Sequence, residues 1–343
     1  MKYYLFVCCA FLSATFFAQD LHFTQTFHTP LLINPGAAGV YNGWERVIIN
    51  HRNQWLGAGT QFTTTSIGAD FNIGKSKLND KAHLGIGILF NNDIGGDSKF
   101  GSQTGSLTLN GILPFGRTGH SLSLGIQSGF GMRSASISAL KFMSQWNGYQ
   151  FDQTQLSGEE NTLNAMSYFD ASSGIYYEYD VNKSSFQRNN NFKIQAGFSV
   201  YHVNQPLMRF TTVDGNRLFR KYVLHAGVVA DLPNRDWAID GNVLQFIQGP
   251  HLETILGLIM RYRLNDGASI TGFSQDAYIG FGAYYRVNDA VSPTLALQFK
   301  GFKFNVSYDI TTSIMRKAYY GGSLEFSLSY TNLNHALFKK RWR

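Results

Sequence analysis

The sequence predicts an all-β protein, a transmembrane antiparallel β-barrel of about fourteen strands of the outer-membrane type, on three observations. Short stretches of alternating apolar and polar residues recur from residue 45 to the closing strand Leu324–Tyr330, where Leu324, Phe326, Leu328 and Tyr330 share one face and Glu325, Ser327 and Ser329 the other. The polar face stays small and hydrophilic in strand after strand, which suits lipid outside and water inside. Beyond the first 18 residues no uninterrupted apolar run reaches the ~20 residues of a helical span.

The start of the chain sets the expected compartment. Lys2 precedes an uncharged run from Tyr3 to Phe17 and then Ala18-Gln19-Asp20, the pattern of a secretory signal cleaved after Ala18; an uncleaved anchor is the alternative. Both cysteines, Cys8 and Cys9, lie in this run, so the expected mature chain has no thiol for disulfides, thiolate catalysis or cysteine metal sites. A hydrophobic content of 44% and a mean hydropathy of -0.15 suit a barrel in which only alternate residues meet lipid. Aromatic residues at 15% and 35 glycines supply interfacial girdles and strand bends. With no linker in its 343 residues, the chain divides into a signal peptide (1–18), an N-terminal periplasmic or lumenal segment (19–44), one barrel (45–330) and a basic tail (331–343).

In order, the alternation predicts strands at Glu45–Gln54, Phe62–Asn72, Ala82–Asn91, Ser102–Ile112, Ser121–Gly131, Tyr168–Asp180, Phe192–His202, Leu218–Asp231, Arg235–Phe246, His251–Arg263, Gln275–Arg286, Pro293–Phe299, Phe302–Ile310 and Gly321–Tyr330. An even number is required when both termini are periplasmic. Leu84, Ile88, Leu122, Leu124, Leu295 and Phe304 are expected outward; Gly85, Gly87, Ser123, Gln127, Asn305 and Ser307 are expected inward. An arginine at Leu124 should therefore damage assembly more than one at Ser123. The tight turns Asn265-Asp266-Gly267 and Asn288-Asp289-Ala290 fit the periplasmic end, and the long polar stretch Arg133–Ser167 an extracellular loop. Its Trp146 and Tyr149 either contact a partner or pack on the loop itself. The segment Asp20–Gly43 shows no lasting alternation and either plugs the lumen or lies at the periplasmic rim.

No catalytic or cofactor signature emerges. Nine histidines are scattered without an HExxH motif or a close pair, so neither a metal nor a cofactor is expected. The pairs Gly85/Gly87 and Gly280/Gly282 resemble phosphate loops only superficially, since a period of two puts both glycines of a pair on one strand face. A membrane phospholipase would need a serine and a histidine side by side, whereas Ser199 and His202 differ in parity and are expected on opposite faces. A net charge of +7 admits nucleic acid as a partner, but a secretion signal argues against it. The basic residues instead gather at Lys339-Lys340-Arg341-Trp342-Arg343, either a solvated interfacial tail or a contact for lipid phosphate, peptidoglycan or another periplasmic component.

The run Ile33-Asn34-Pro35-Gly36-Ala37-Ala38-Gly39 followed by Arg52-Asn53-Gln54-Trp55 resembles the N-terminal signature of the PorP/SprF family of type IX secretion and gliding proteins of the Bacteroidetes. Gly197–His202 with Pro206, Tyr284-Tyr285-Arg286 with Asp289-Ala290, Val306-Ser307-Tyr308-Asp309-Ile310 with Ser313, and Glu325–Tyr330 extend the resemblance in order over nearly the whole mature chain. Two departures are the all-small Gly36-Ala37-Ala38, where the family usually has a bulky residue, and the continuation past Tyr330. The resemblance implies a non-enzymatic outer-membrane barrel with Asn34, Pro35, Gly39, Arg52, Gln54, Trp55, Ser307, Tyr308, Asp309 and Glu325 as signature residues. It also implies export and surface anchoring of specific adhesin-like cargo through C-terminal secretion domains. The implied partners are that cargo, type IX or gliding components at the periplasmic face, and outer-membrane lipid. A porin or substrate-specific channel is the rival. Because Arg52 and Gln54 share the inward face of the first strand, they are expected partly to hold the Asn34–Gly39 turn inside or across the periplasmic mouth.

Overall fold

The computed structural model describes residues 20–54, 62–75, 81–115, 119–135, 140–158, 165–181, 192–208, 216–233, 236–265, 277–313 and 322–333. The signal segment, Trp55, Glu159 and Glu160, Asp266 and Gly267, and Lys339–Arg343 lie outside them. Fourteen antiparallel strands close into a barrel: β1 (Glu45–Gln54), β2 (Phe62–Ile73), β3 (His83–Gly95), β4 (Phe100–Phe115), β5 (His120–Ser134), β6 (Met166–Asp180), β7 (Phe192–Tyr201), β10 (Lys221–Asp231), β11 (Trp237–Gln248), β12 (His251–Asn265), β13 (Ala277–Arg286), β14 (Ala290–Phe299), β15 (Phe302–Thr311) and β16 (Ser323–Thr331). A two-residue ladder of β8 (Leu207–Met208) and β9 (Asn216–Arg217) sits between β7 and β10 in the chain. The first and last barrel strands seal the wall, pairing Val47 with Tyr330 and Arg52 with Glu325. Closure leaves no sheet edge, so the wall's backbone groups can pair within lipid.

Side-chain parity separates the two faces. Leu124 and Ile126 each keep 60% of their surface exposed and Leu295 63%, while the intervening Ser123 and Thr294 keep 3%. An outer face this apolar is stable only against hydrocarbon. Aromatic rings collect near its borders. At the end where β1 begins and β16 finishes, His120 stacks on Tyr179 at 4.5 Å, Trp237 packs on Tyr262 at 4.9 Å and Phe302 on Tyr330 at 4.6 Å. Toward the opposite, far end Phe198 stacks on Tyr222 at 6.3 Å.

Three local expectations are corrected. The β3 to β5 wall extends beyond the predicted limits because Asn92 and Asp93 of β3 and Arg133 and Ser134 of β5 continue the ladder after the apolar alternation fades. Strand β14 begins at Ala290, before Pro293, which lacks an N–H and sits where the β14–β15 pairing is interrupted between Val291 and Thr294. Finally, Asn265 and Asn288 do not share an end. Successive connections of an up-and-down barrel alternate, so the 287–289 turn, with Asn288 at φ 61°, lies at the far end with the long 135–165 connection, whereas β12 finishes near the chain termini.

Candidate functional site in the filled lumen

Residues 20–44 do not lie at a rim; they thread the lumen from the far end to the near end. Pro30, Pro35 and Gly39 interrupt any long helix, and the segment instead uses short turns at Thr26–His28, Pro30–Ile33 and Pro35–Ala37. Asn34 sets the last of these, its Oδ1 accepting from the Gly36 N–H at 2.8 Å while Pro35 fixes the first turn residue. Gly39 takes φ +76°, and its N–H donates to Asp70 at 2.9 Å.

The barrel wall is cut back to receive this backbone. A Cβ on Gly85 would fall 2.2 Å from the Ala38 carbonyl oxygen, on Gly125 2.3 Å from Pro35 C and O, and on Gly174 2.1 Å from Asn34 Oδ1. These glycines come from β3, β5 and β6 and form one side of a cradle. Polar wall groups then satisfy the segment. Asn34 Nδ2 donates to Ile175 O at 2.9 Å and contacts His225 Nε2 at 3.1 Å; Asn110 Nδ2 donates to Gly36 O and Ala38 O at 2.8 and 2.7 Å; Ser123 Oγ donates to Gly36 O at 2.6 Å. Ser123 is thus lumenal yet covered, so an arginine there would have to displace Gly36.

A charged cluster grips the opposite half of the segment. Arg52 lies between Asp309 at 3.1 Å and Glu325 at 3.2 Å, and its Nη1 donates to His22 O at 3.0 Å. Glu325 accepts from Thr24 N at 2.8 Å and Gln25 N at 3.1 Å, Gln25 Nε2 donates to Ser307 Oγ at 2.7 Å, and Arg286 reaches Asp309 at 3.3 Å. With its amide oriented to present oxygen, Gln54 accepts from Arg52 Nη2 at 2.7 Å. Two guanidinium groups face two buried carboxylates, and peptide N–H groups fill the remaining acceptor positions. Removing one cation should leave charge uncompensated. Arg52→Met is expected to cost about 3–5 kcal/mol, read as a lower temperature for loss of the compact band on heat-modifiable gels; adding Glu325→Gln should recover part of it.

The signature residues therefore separate into groups. Arg52, Gln54, Ser307, Asp309 and Glu325 converge because β1 closes on β16 and β15 flanks it. Asn34, Pro35 and Gly39 meet the glycine side of the lumen instead, so the expected hold of Arg52 on the Asn34–Gly39 turn is wrong; Arg52 lies late in β1, toward the far end, and meets residues 22–25. Tyr308 faces outward at 41% exposure, its hydroxyl accepting from Gly322 N at 3.1 Å. Trp146 and Tyr149 stand on the far-end loop with 54% and 93% exposure, beside Met143 at 92% and Leu156 at 90%. Gln145 Nε2 to Gln155 O at 3.1 Å and Ser144 Oγ to Ser157 O at 2.6 Å hold that loop. Reading the sequence named Arg286 only within a resemblance segment and assigned no role to Asn110, Asp70 or His225; all four follow the inward parity of their strands.

At the far end, Asp20 meets His202 Nε2 at 2.5 Å, and Asp170 meets Nδ1 at 2.9 Å. His202 was expected on the face opposite Ser199, but it follows the last residue of β7 at φ 56°, which breaks the alternation, and both turn to the lumen. They serve separate contacts, Ser199 Oγ donating to Ile33 O at 2.6 Å. Burial alone would lower the imidazole pKa, but the Asp20 and Asp170 carboxylates raise it to about 9. Burial likewise opposes charge on Asp20, yet His202 and Lys221 hold its carboxyl well below the usual range. A histidine raised in this way stabilises fully below its ordinary 6.5 and loses the contribution as pH rises through about 9. A nitroxide on Leu21→Cys should gain mobility between pH 7 and 10, and His202→Asn should remove that pH dependence.

Together these features define a class of protein: an outer-membrane-type barrel whose lumen holds its own N-terminal segment. The family described as type IX secretion system membrane protein PorP/SprF matches residues 15–330, and the chain belongs to it. No curated protein matches the sequence. Among solved structures, the TodX monoaromatic hydrocarbon channel deltaS2 mutant is 12% identical, covering 90% of this chain and 95% of its own at a TM-score of 0.46. The translocator domain of the autotransporter NalP from Neisseria meningitidis is 13% identical, with coverage of 89% and 94% and a TM-score of 0.38. The COG4313 outer membrane channel from Pseudomonas putida F1 is 14% identical, with coverage of 85% and 97% and a TM-score of 0.38. Likenesses this distant carry no functional argument.

Proposed function

We propose that the chain is a non-enzymatic, non-conducting outer-membrane barrel that supports type IX export and surface anchoring of a few adhesin-like cargo proteins through their C-terminal domains. The observation that carries this reading is the segment 20–44 threaded along the lumen, with Thr24, Asn34 and Ala38 fully buried. A diffusion channel needs that space empty. The far end, with its exposed Met143, Trp146, Tyr149 and Leu156, is taken as the extracellular docking face, while the near end faces periplasmic type IX or gliding components. Signal cleavage after Ala18 would then leave the mature N-terminus beside Asp20 at the outer mouth.

Planar-bilayer recording on the purified full-length protein separates this reading from the channel. The account expects a closed baseline with rare small openings; steady conductance steps typical of an open porin would favour the channel. Replacing residues 143–157 by a short Gly-Ser linker should leave a heat-modifiable barrel and reduce cargo retention at the cell surface. Unchanged retention on a correctly assembled barrel would exclude the loop as the docking surface.

A further inference from the structure

At the far end of the lumen, between the threaded segment and the wall of β3 to β6, lies a cavity of about 110 Å³. Arg133 projects into it. The side chain is only 7% exposed, its Nε has no hydrogen-bond partner, and among the described residues its guanidinium makes neither a hydrogen bond nor an ion pair within 4.0 Å. The guanidinium carbon lies 5.9 Å from the centroid of the Tyr168 ring. That ring is itself seated, because a Cβ on Gly131 would lie 2.3 Å from it. The arginine is therefore held near Asp20 without a direct hydrogen-bonded ion pair, an arrangement that burial makes costly.

The neighbouring charges are already spent on one another. His202 binds both Asp20 and Asp170, and Lys221 lies 3.9 Å from Asp20. Asp93 also lines the cavity and accepts from Thr64 Oγ1 at 2.6 Å, so among the described residues Arg133 is the cation there without a bonded partner, and the three aspartates disfavour a dianion such as phosphate. A guanidinium offers two parallel donors that match the two oxygens of a carboxylate. Around it, Leu32 and Leu89 give an apolar wall, while Asn91 and Gln127 give amides. The side chains of Asp20 and Asp170 keep 18% and 17% exposure, so solvent reaches the site. We propose that this cavity is a binding site for a carboxylate borne by a peptide, anchored by Arg133 and seated on Tyr168. The site stands independently of the secretion reading.

Isothermal titration of the full-length protein in detergent tests it with four probes: acetyl-Ala-Glu-Ala-amide, acetyl-Ala-Gln-Ala-amide, acetyl-Ala-Ala-Ala with a free C-terminus, and inorganic phosphate. The glutamyl or the free-carboxyl peptide should bind at least about tenfold more tightly than the glutamine peptide and phosphate, a difference of one charge-assisted pair. Whichever of the two binds names the carboxylate's source as side chain or chain terminus. Arg133→Gln should reduce that affinity to the neutral peptide's level and Arg133→Lys should restore part of it, whereas Lys303→Gln, in the near-end vestibule, should change nothing. Heat-modifiable migration checks assembly, and the comparison of peptides on the unaltered protein decides the matter even if Arg133→Gln fails to assemble. Equal binding of the Glu, Gln and free-carboxyl peptides, no binding by either acidic peptide, phosphate binding as tightly, or an equal loss in Lys303→Gln would overturn the proposal.

Discussion

Leu124→Arg is expected to abolish most barrel assembly. Leu124 lies in the first third of β5, opposite Gly111 on one neighbour and Ile175 on the other, with 60% of its surface exposed on the outer face. A cation at that depth in hydrocarbon costs about 2–4 kcal/mol, comparable with a large share of the stability of a typical domain. The check is the fraction of compact, heat-modifiable protein in isolated outer membranes. Ser329→Arg is the matched lumenal control, since Ser329 borders the near-end cavity of about 390 Å³ and has room for a longer side chain. Equal loss in both variants would show that the two faces of the wall have been exchanged.

Gly125→Val should open the lumen. The new side chain would meet Pro35 and Gly36 of the threaded segment, with no wall atom among its nearest contacts. Valine suits a strand, so the expected result is an assembled barrel with a displaced segment and conductance well above the unaltered baseline. Gly111→Val places the same group on β4 where nothing lies within 4 Å, and it should leave the baseline unchanged. Combining Gly125→Val with Asn34→Ala, which removes the amide contacts to Ile175 and His225, should increase the opening further. A conductance equal to the baseline in the assembled double variant would mean that the segment does not close the lumen.

Strand positions and facing were legible because lipid on one side and polar lumen on the other impose a period of two, which Leu122, Leu124 and Ile126 show against Ser123 and Gln127. Strand ends were less legible: at Asn92 and Asp93 the ladder continues where neither lipid nor core demands a hydrophobe. The turn at Asn288 carries the chemistry of a tight hairpin but no mark of which end it occupies, since that depends on counting connections. Arg133 was read as the first residue of a loop, although Gln127, Gly129, Gly131 and Arg133 share a parity that carries β5 onward to Ser134. Residues of the lumenal site were only half visible. Arg52, Asp309 and Glu325 stood out singly, but their meeting depends on β1 closing against the last strand. The partners of Asn34 depend on glycines from strands far along the chain, a relation that local pattern does not encode.

The most direct test of the functional account is a quantitative comparison of surface proteins in cells lacking the gene and in the same cells complemented with the unaltered chain. The account predicts that one or a few large proteins with C-terminal secretion domains disappear from the surface, are restored on complementation, and leave general secretion and small-nutrient uptake largely intact. An unchanged surface proteome accompanied by a specific uptake defect would contradict it and assign the barrel to transport of a solute.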